Sequence, residues 1–468
     1  MSEKPVASDG VEVTRRLATF ASGLRFDDLP VDVVAHVRLA ALDGVGCCLY
    51  GATLPWTQVV ARVVRTDGGA KQATLIGGGG KVPVAGAVLV NGTAGHAFEL
   101  DDIHRDSILH PNSITVPVAL AVGERMGGVS GADVMTAIVA GYEVATRVGL
   151  ASGTDLLLRG FHPQGTLGAI AAAATASRML GLDAEQTLNA IGTAGSLGAG
   201  LMAAQEGAMV KRLHSGRAAE AGVRAADLAA QGFTGISNLV EADYGGFLSS
   251  FAGNLDVERV VAGLGDTWET VKTGFKPHAT VTSIHSSLDA LSQIMSAQKL
   301  IAEDIASIKA GISHPTYVHC AWPYTGQSVT AAQMNLYYGL AMIALDGMAF
   351  VDQFREDRIR DPKVMDFVQR ITATVDPDIA QLGREYRHMA RITVVTRDGR
   401  TFSHEERHRR GSPENPVQRT AIEEKFDAQA RAVLDGNAQA AVKGQLLELD
   451  QQRDITALME GLAAVPKK

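Results

Sequence analysis

Residues 165–180 read GTLGAIAAAATASRML, and residues 183–204 read DAEQTLNAIGTAGSLGAGLMAA. In both stretches apolar residues recur at the three- and four-residue spacing of a helix, and most side chains are small. Asp183 predicts a helix start, because Gln186 stands three positions on as its capping-box partner. Similar helical patterns recur at residues 31–50, 114–126, 133–150 and 216–231. The first 265 residues therefore predict a large helical domain.

Strand patterns appear only beyond residue 270 or so. β-Branched residues alternate with others at 305–313 and 391–396. The turn pair Asp398-Gly399 follows the second of these runs, and this order predicts a β-hairpin. Helical patterns accompany the strands at 281–297 and 331–348.

The end of the chain returns to helical patterns, where Thr420 and Glu423 have the spacing of another capping box. We therefore predict a mainly α fold with two domains. A large all-helical domain is expected at residues 1–268, completed by C-terminal helices at 409–468. A smaller α+β lid domain is expected at residues 269–408.

Composition excludes several classes of protein. The 468 residues are 46% hydrophobic and 20% charged, which is too apolar for a disordered chain. The formal net charge is −8, whereas a partner such as nucleic acid or an anionic membrane favours a basic surface. We therefore expect no nucleic-acid and no membrane partner.

The cysteines and the N-terminus indicate a compartment. Cys47, Cys48 and Cys320 have the spacing of neither a disulfide framework nor an iron–sulfur site, which favours a reducing environment. The opening residues 1–5 lack the basic and apolar runs of a signal peptide. The apolar run at 168–176 is shorter than the roughly 18 residues needed to span a bilayer. The expected location is cytoplasmic.

The glycine run at 77–80, followed by Lys81, has part of the pattern of a phosphate-binding loop. That loop requires Ser or Thr after the lysine, at the start of a helix, but Val82 and Pro83 follow here. We interpret the run as a turn and exclude nucleotide binding there.

Residues 91–111, NGTAGHAFELDDIHRDSILHP, are the segment most indicative of chemistry. Four carboxylates and three imidazoles lie within 15 positions, whereas a solvated acidic face seldom carries so many histidines. Glu99 and Asp102 would share a helix face if the preceding helix extended that far. His110 precedes a proline, which disfavours helix and predicts a loop. A Mg²⁺-diphosphate site is the competing interpretation, but the aspartate spacing fits it poorly. Acid–base chemistry is favoured.

Three further segments supply cations and imidazoles: residues 160–168 (GFHPQGTLG), 209–216 (MVKRLHSG) and 274–278 (GFKPH). Tyr317 follows the predicted strand at 305–313. Taken singly, each is better explained by capping, packing or a solvated lysine. Together they offer acid–base groups and positive charges suited to a small polycarboxylate.

These segments, in this order, resemble the MmgE/PrpD family, which includes 2-methylcitrate dehydratase, cis-aconitate decarboxylase and iminodisuccinate epimerase. The resemblance covers nearly the whole chain, including residues 96–111, 161–168, 211–222, 275–285, 331–347 and 411–416. It implies a helical domain with a smaller α+β lid and an active site in the cleft between them. It also implies a homodimer that uses no cofactor and no metal.

The resemblance also implies roles for particular residues. The decarboxylase-type catalytic positions correspond to Glu99, His110, His162, Lys211, Tyr317 and Lys276, of which Lys276 is expected to bind substrate. Substrate binding is assigned to Asp102, His104, Lys276 and His214. Two positions depart from the decarboxylases: Glu99 stands where Asp is common, and Ile103 stands where Thr follows the Asp-Asp pair.

Proton transfer at a carbon next to a carboxylate is the chemistry that these residues would share. Such a proton is weakly acidic, so a positioned base and cations that stabilise the enolate are both needed. Lys211 and Lys276 would hold carboxylates, and His110 and His162 would act as base and acid, since a free imidazole titrates near neutrality. Glu99 would orient an imidazole or act as the base itself.

The outcome depends on the substrate. If the substrate has a β-hydroxyl group, that group leaves as water after Tyr317 gives it a proton. The favoured prediction is therefore a hydro-lyase of the 2-methylcitrate dehydratase type. The alternatives are an epimerase or a decarboxylase on a related di- or tricarboxylate. A silent anion-binding protein and a metal-dependent prenyl-type enzyme are more distant alternatives.

Overall fold

The computed structural model describes residues 12–465, which are mainly α-helical, as predicted. The helices up to residue 265 are α1 Val13–Gly23, α2 Val31–Gly51, α3 Pro55–Asp67, α4 Val84–Gly95, α5 Asn112–Met126, α6 Gly131–Ser152, α7 Asp155–Leu158, α8 Pro163–Met179, α9 Ala184–Leu197, α10 Val210–Ala230 and α11 Val257–Val261. Two short antiparallel strand pairs accompany them: β1 Ala73–Thr74 with β2 Lys81–Val82, and β3 Ile103–His104 with β4 Thr273–Gly274. The glycine run at 77–80 lies in the turn between β1 and β2.

The second part of the chain contains α12 His285–Gln298, β5 Ile305–Ile312, α13 His314–Cys320, α14 Val329–Met334, α15 Leu336–Asp346, α16 Pro362–Val368, β6 Ile371–Val375, α17 Pro377–Gln381, β7 Ala390–Thr396 and β8 Thr401–Glu406. The four longer strands form one sheet in the order β6-β5-β7-β8. β5 pairs parallel with β6 and antiparallel with β7. The hairpin of β7 and β8 is confirmed. The chain then returns to helix in α18 Arg419–Ala430, α19 Gly436–Leu447 and α20 Thr456–Leu462.

Helix boundaries follow local capping where a cap is present. The capping box of Asp183 and Gln186 is confirmed at the start of α9. The predicted box of Thr420 and Glu423 is wrong: α18 begins at Arg419, with Gln418 as its N-cap, and Glu423 instead accepts a hydrogen bond from Arg419 at 2.6 Å.

Two predicted helices have different ends in the structure. α9 ends at Leu197 instead of reaching residue 204, because Gly198 is extended and packs closely on Thr166. α10 begins at Val210, before the predicted residue 216. Its first turns carry buried charged side chains, which hide the apolar periodicity there. Lys211 therefore lies inside a helix, not before one.

The predicted helix at 331–348 is two helices, α14 and α15. They are separated at Asn335, whose side-chain oxygen accepts from the backbone N–H of Tyr338 and caps α15. The amide nitrogen of Asn335 donates to the carbonyl of Trp322 at 2.7 Å. These two bonds hold Asn335 outside helical geometry although the surrounding sequence is helical in pattern.

Two hydrophobic cores are present. The first is formed by the helices up to residue 265 together with α18–α20, and the second by the four-stranded sheet with α12, α15 and α16. In the first core α8 packs against α10 so closely that a Cβ on Gly222 would lie 2.4 Å from the Cβ of Ala172. The domain boundaries at 268 and 409, and the lid itself, stay predictions.

Two helices are long and apolar enough to cross a membrane by length and composition, α2 and α6. Within the fold, 67% and 94% of their apolar windows are buried, which is typical of core helices. The shorter apolar run at 168–176 lies inside α8. Cys47, Cys48 and Cys320 are free and buried. The expectation about residues 1–5 lies outside the described residues.

Candidate functional site

The segment after α4 leaves the helix at once. α4 ends at Gly95, so it does not extend far enough for Glu99 and Asp102 to share a helix face. A Cβ on Gly95 would lie 3.1 Å from Cα of Ser113, so α5 approaches the helix end closely. Glu99 adopts a φ of 56°, a left-handed conformation that is costly for a residue with a side chain. The surroundings of its carboxylate must offset that cost.

Three buried cations surround Glu99. Lys211 donates to Glu99 Oε1, and Arg212 Nη1 donates to the same oxygen at 2.6 Å. Lys276 Nζ lies 3.3 Å from Oε2. Helix α10 supplies Lys211 and Arg212 from its first turn, and Lys276 follows β4. We call Glu99, Lys211, Arg212 and Lys276 the cation cluster.

Burial and charge set the protonation of this cluster. Burial alone would raise the pKa of Glu99, but the charges of Lys211, Lys276 and Arg212 hold that pKa well below its usual range. Burial lowers the pKa of Lys211 to about 8, although the Glu99 carboxylate opposes that change. Near neutral pH Glu99 is therefore ionised, and Lys211 keeps its charge until the pH approaches about 8.

Arg212 is held in place from a distant part of the chain. Its Nη2 donates to Gln333 Oε1 at 3.1 Å, and Gln333 Nε2 donates to the carbonyl of Phe98 at 2.9 Å. Gln333 lies on α14, beside the second core. The sequence analysis gave Arg212 no role within the segment 209–216, and it missed Gln333 because no local pattern distinguishes this residue.

Four imidazoles form a row beside the cation cluster. Ring centroids are 5.2 Å apart for His110 and His96, 5.8 Å for His96 and His162, and 5.1 Å for His162 and His214. The sequence predicted three of them, but it did not assign a role to His96. Lys211 therefore stands next to a continuous array of groups that can carry protons.

The expectation that His110 and His162 titrate near neutrality is wrong. Burial lowers the pKa of His110 to about 3, despite the carboxylate of Asp101. Burial, followed by the charge of Lys211, holds the pKa of His162 well below its ordinary value. Burial likewise lowers the pKa of His214 to about 4. All three rings are neutral at pH 7, because burial disfavours the charged form of each imidazole.

Hydrogen bonds fix the tautomer of two of these rings. His96 Nδ1 lies 2.6 Å from Asp101 Oδ2, and His110 Nδ1 lies 2.6 Å from the carbonyl oxygen of Asp102. Both oxygens only accept, so in the neutral rings Nδ1 carries the proton and Nε2 holds a lone pair. His162 and His214 meet through their Nδ1 atoms at 2.9 Å, so one ring donates and the other has its proton on Nε2.

Asp102 and His104, predicted to bind substrate, are engaged with protein groups. Asp102 accepts from the backbone N–H of Asn112 at 3.0 Å and from the hydroxyl of Tyr142 at 2.5 Å. His104 contacts Ser107 through Nδ1 and Glu269 through Nε2. Their predicted contact with substrate stays a prediction.

Tyr317 lies on α13 and is 37% exposed, and its hydroxyl makes no hydrogen bond with residues 12–465. On the same helix His319 contacts Gln205 at 3.1 Å. Burial and then the charge of Lys211 lower the pKa of His319. His319 thus lies near the cation cluster and was missed by the sequence reasoning, while the catalytic role of Tyr317 stays a prediction.

His96, Asp101 and His110 are the group in the described residues whose ligand atoms, all within 4.8 Å of one another, could hold a metal ion. A zinc site uses neutral imidazole and carboxylate ligands, usually four in all with solvent included. Here His96 Nδ1 is already bonded to Asp101. The expectation that the protein uses no metal stays a prediction.

Comparison with known sequences gives matches over most of the chain. The family profile of the MmgE/PrpD N-terminal domain matches residues 15–259, and that of the MmgE/PrpD C-terminal domain matches residues 278–450. A cis-aconitate decarboxylase-like protein from Aspergillus oryzae, oryM, is 31% identical over 96% of both chains. Cis-aconitate decarboxylases of Aspergillus terreus and Homo sapiens are 30% and 26% identical, each over 96% of this chain and 95% of the relative.

Proposed function

The chain belongs to the MmgE/PrpD family, and from that premise we propose that it is a lyase that decarboxylates a small unsaturated polycarboxylate of the cis-aconitate type. The relatives named above are cis-aconitate decarboxylases or, for oryM, decarboxylase-like, which supports this reaction over the predicted hydro-lyase. The observation that carries the proposal is the cation cluster, in which three buried cations share the one carboxylate of Glu99.

The charge balance of the site favours a polyanion. Three cations face two ionised carboxylates, those of Glu99 and Asp101, and the nearby imidazoles are neutral. Lys211 and Lys276 are ammonium groups with three donors each, so each can bind a substrate carboxylate while it stays near Glu99. Because the site is shielded from water, these attractions are stronger than at a surface.

Decarboxylation needs stabilisation of the electron pair that is left behind. When the bond from carbon to the departing carboxylate breaks, CO₂ leaves and the electron pair delocalises over the double bond into a remaining carboxylate. Lys276 or Lys211 beside that carboxylate lowers the energy of the charge that develops. Glu99 keeps both ammonium groups in place before the substrate enters.

A proton must then reach carbon. Whichever of His162 and His214 has its proton on Nε2 is a donor that needs no prior protonation. It would give that proton to the substrate carbon and recover one from water. The loss of CO₂ and the return of a proton to carbon are thus both assigned to side chains described above.

Loss of water is the second candidate reaction, because His110 presents a lone pair on Nε2. This neutral base could remove the proton next to a carboxylate, after which a β-hydroxyl group would leave. Glu99 and Ile103 are the two positions at which the sequence departs from the decarboxylases, and these departures count against decarboxylation of cis-aconitate. The predicted epimerase receives no support from the relatives, and we do not propose it.

Proton NMR of the purified protein in D₂O, with cis-aconitate, methylcitrate, citrate and iminodisuccinate, tests the proposal. We expect cis-aconitate to lose CO₂ and give a new alkene that carries solvent deuterium. Loss of water from methylcitrate or citrate, with cis-aconitate unchanged, would replace the proposal by the second candidate. Deuterium exchange without elimination or loss of CO₂ would contradict both reactions.

A further inference from the structure

Arg409, three positions after β8, is a buried cation without a partner. Only 3% of the surface of Arg409 is exposed. The Nε, Nη1 and Nη2 atoms of its guanidinium make no hydrogen bond with residues 12–465. A buried charged group that loses its hydrogen bonds to water is costly, so an unpaired guanidinium in this position calls for a missing partner.

The acidic groups that face Arg409 are already committed. Asp289 accepts from His278 at 3.0 Å and from the backbone N–H of Arg410 at 2.8 Å. Glu414 accepts from Arg105 at 2.8 Å. None of the carboxylates in the described part of the chain lies within 4.0 Å of the Arg409 guanidinium.

Further positive charge collects on the same side. Arg387 Nη2 donates to the backbone carbonyl of Arg105 at 2.8 Å. Asp106, 3.3 Å from Arg105 and 3.8 Å from Arg387, is the acidic group that they share. Burial lowers the pKa of His388, and the next causes are the charges of Arg387, Arg409 and Arg105. The carboxylates around Arg409 are therefore engaged with other groups, and three arginines contribute positive charge there.

We propose that Arg409 anchors a second anion site, separate from the cation cluster, which binds a small oxyanion such as a carboxylate or phosphate group. Guanidinium presents paired N–H groups that match two oxygens of such an anion. Arg105 and Arg387 add positive potential beside it. The site neither requires nor assumes the reaction proposed above.

Its position couples it to the cation cluster. A Cβ on Gly274 would lie 2.8 Å from Arg409 Nη2 and 2.3 Å from the carbonyl oxygen of Gly411, so the segment around Arg409 packs directly on β4. β4 leads to Lys276 and pairs with β3, which opens the loop to His110. An anion bound at Arg409 would therefore stabilise the arrangement of β3, β4 and Lys276.

The test measures thermal unfolding and calorimetric binding of the full chain with phosphate or acetate, at constant ionic strength balanced with chloride. We expect saturable stabilisation in the wild type by at least one of these anions, and the active anion identifies the source. Lys211→Met, altered in the cation cluster, should keep the effect, as should Arg431→Gln, which removes an exposed arginine. Arg409→Gln should weaken binding by about tenfold or more, since charged hydrogen bonds are lost. The affinity of Arg409→Lys for the anion should fall between those of the wild type and Arg409→Gln.

Without added anion, Arg409→Gln should be at least as stable as the wild type, because it removes an unsatisfied charge. Lower stability of this variant in anion-free buffer would show that protein or water already satisfies Arg409 and would overturn the proposal.

The proposal is also overturned if the anion does not stabilise the wild type saturably, or if Arg409→Gln keeps that stabilisation. Loss of the effect in Lys211→Met would place the anion at the cation cluster. A changed oligomeric state of Arg409→Gln without an anion effect would assign Arg409 to an interface between copies. Either of these results also overturns the second site.

Discussion

The ammonium of Lys276 lies 3.3 Å from Oε2 of Glu99, a residue 177 positions earlier in the chain. Lys276 follows β4, and Glu99 follows α4 in a left-handed conformation. The contact joins the segment that leads into the second core to the loop that contains His96 and His110, two of the four imidazoles in the row. A carboxylate substrate that bound Lys276 would therefore touch the point where the two parts of the chain meet.

Lys211→Ala should remove most turnover and leave the fold intact. The remaining cations, Arg212 and Lys276, still pair with Glu99, so the buried carboxylate keeps partners. Loss of one group that stabilises developing charge typically costs about 10²–10³-fold in kcat. Steady-state kinetics together with a thermal unfolding curve measures both effects. Lys443→Ala, which removes a lysine paired with Asp427 in the C-terminal helices, is the matched control. Wild-type rates in Lys211→Ala would contradict the role of Lys211 in turnover.

His162→Ala should lower kcat by about 10²-fold or more, the usual scale for a general acid or base. His162 touches His214 through Nδ1 and neighbours His96 in the row. His36→Ala is the control, because His36 is a half-buried imidazole whose ring centroid lies 5.1 Å from that of Phe275, outside the row. A His162 variant within a few-fold of wild type would show that this ring only packs or caps α8.

Substrate affinity should fall as the pH rises through about 8. Burial lowers the pKa of Lys211 to about 8, so its ammonium is charged below that pH and neutral above it. The attraction for a carboxylate is lost with the charge, and KM should rise on the alkaline side. The pH profile of kcat/KM between pH 6 and 10 measures this, and Lys211→Arg, which stays charged, should remove the alkaline limb. An unchanged alkaline limb in that variant would assign the titration to another group.

Asp101→Asn should lower kcat more than it raises KM. The carboxylate accepts from His96 Nδ1 at 2.6 Å and so fixes the tautomer of this ring, while it lies 3.7 Å from His110 Nδ1. An asparagine can present its amide N–H to the ring and reverse the tautomer. Nitrogen NMR of the labelled protein reports the protonated ring atom directly. If His96 keeps its proton on Nδ1 in the variant and kcat is unchanged, Asp101 has no positioning role.

Local sequence patterns predicted the elements whose causes are local. The capping box of Asp183, the hairpin at Asp398-Gly399 and the small-residue helix at 165–180 depend on near neighbours, and all are confirmed. The family motifs also named Lys211 and Lys276, which the structure brings to one carboxylate.

What the sequence could not predict depends on distant contacts. Gln333 and His319 reach the site from α14 and α13, and neither has a distinctive pattern around it. The early start of α10 was hidden because its first turn buries charged residues in place of apolar ones. The neutral state of His110 follows from burial, which a sequence does not display.

The central claim is that the cation cluster binds the carboxylates of the substrate. Titration calorimetry of an unreactive tricarboxylate, tricarballylate, with wild type and Lys276→Met tests it most directly. Lys276 is 1% exposed, so its charge acts in a site shielded from water, and its loss should weaken binding by about tenfold or more. Lys272→Met, which removes an exposed lysine four positions earlier, should bind as the wild type does. Equal affinities for wild type and Lys276→Met would contradict the account.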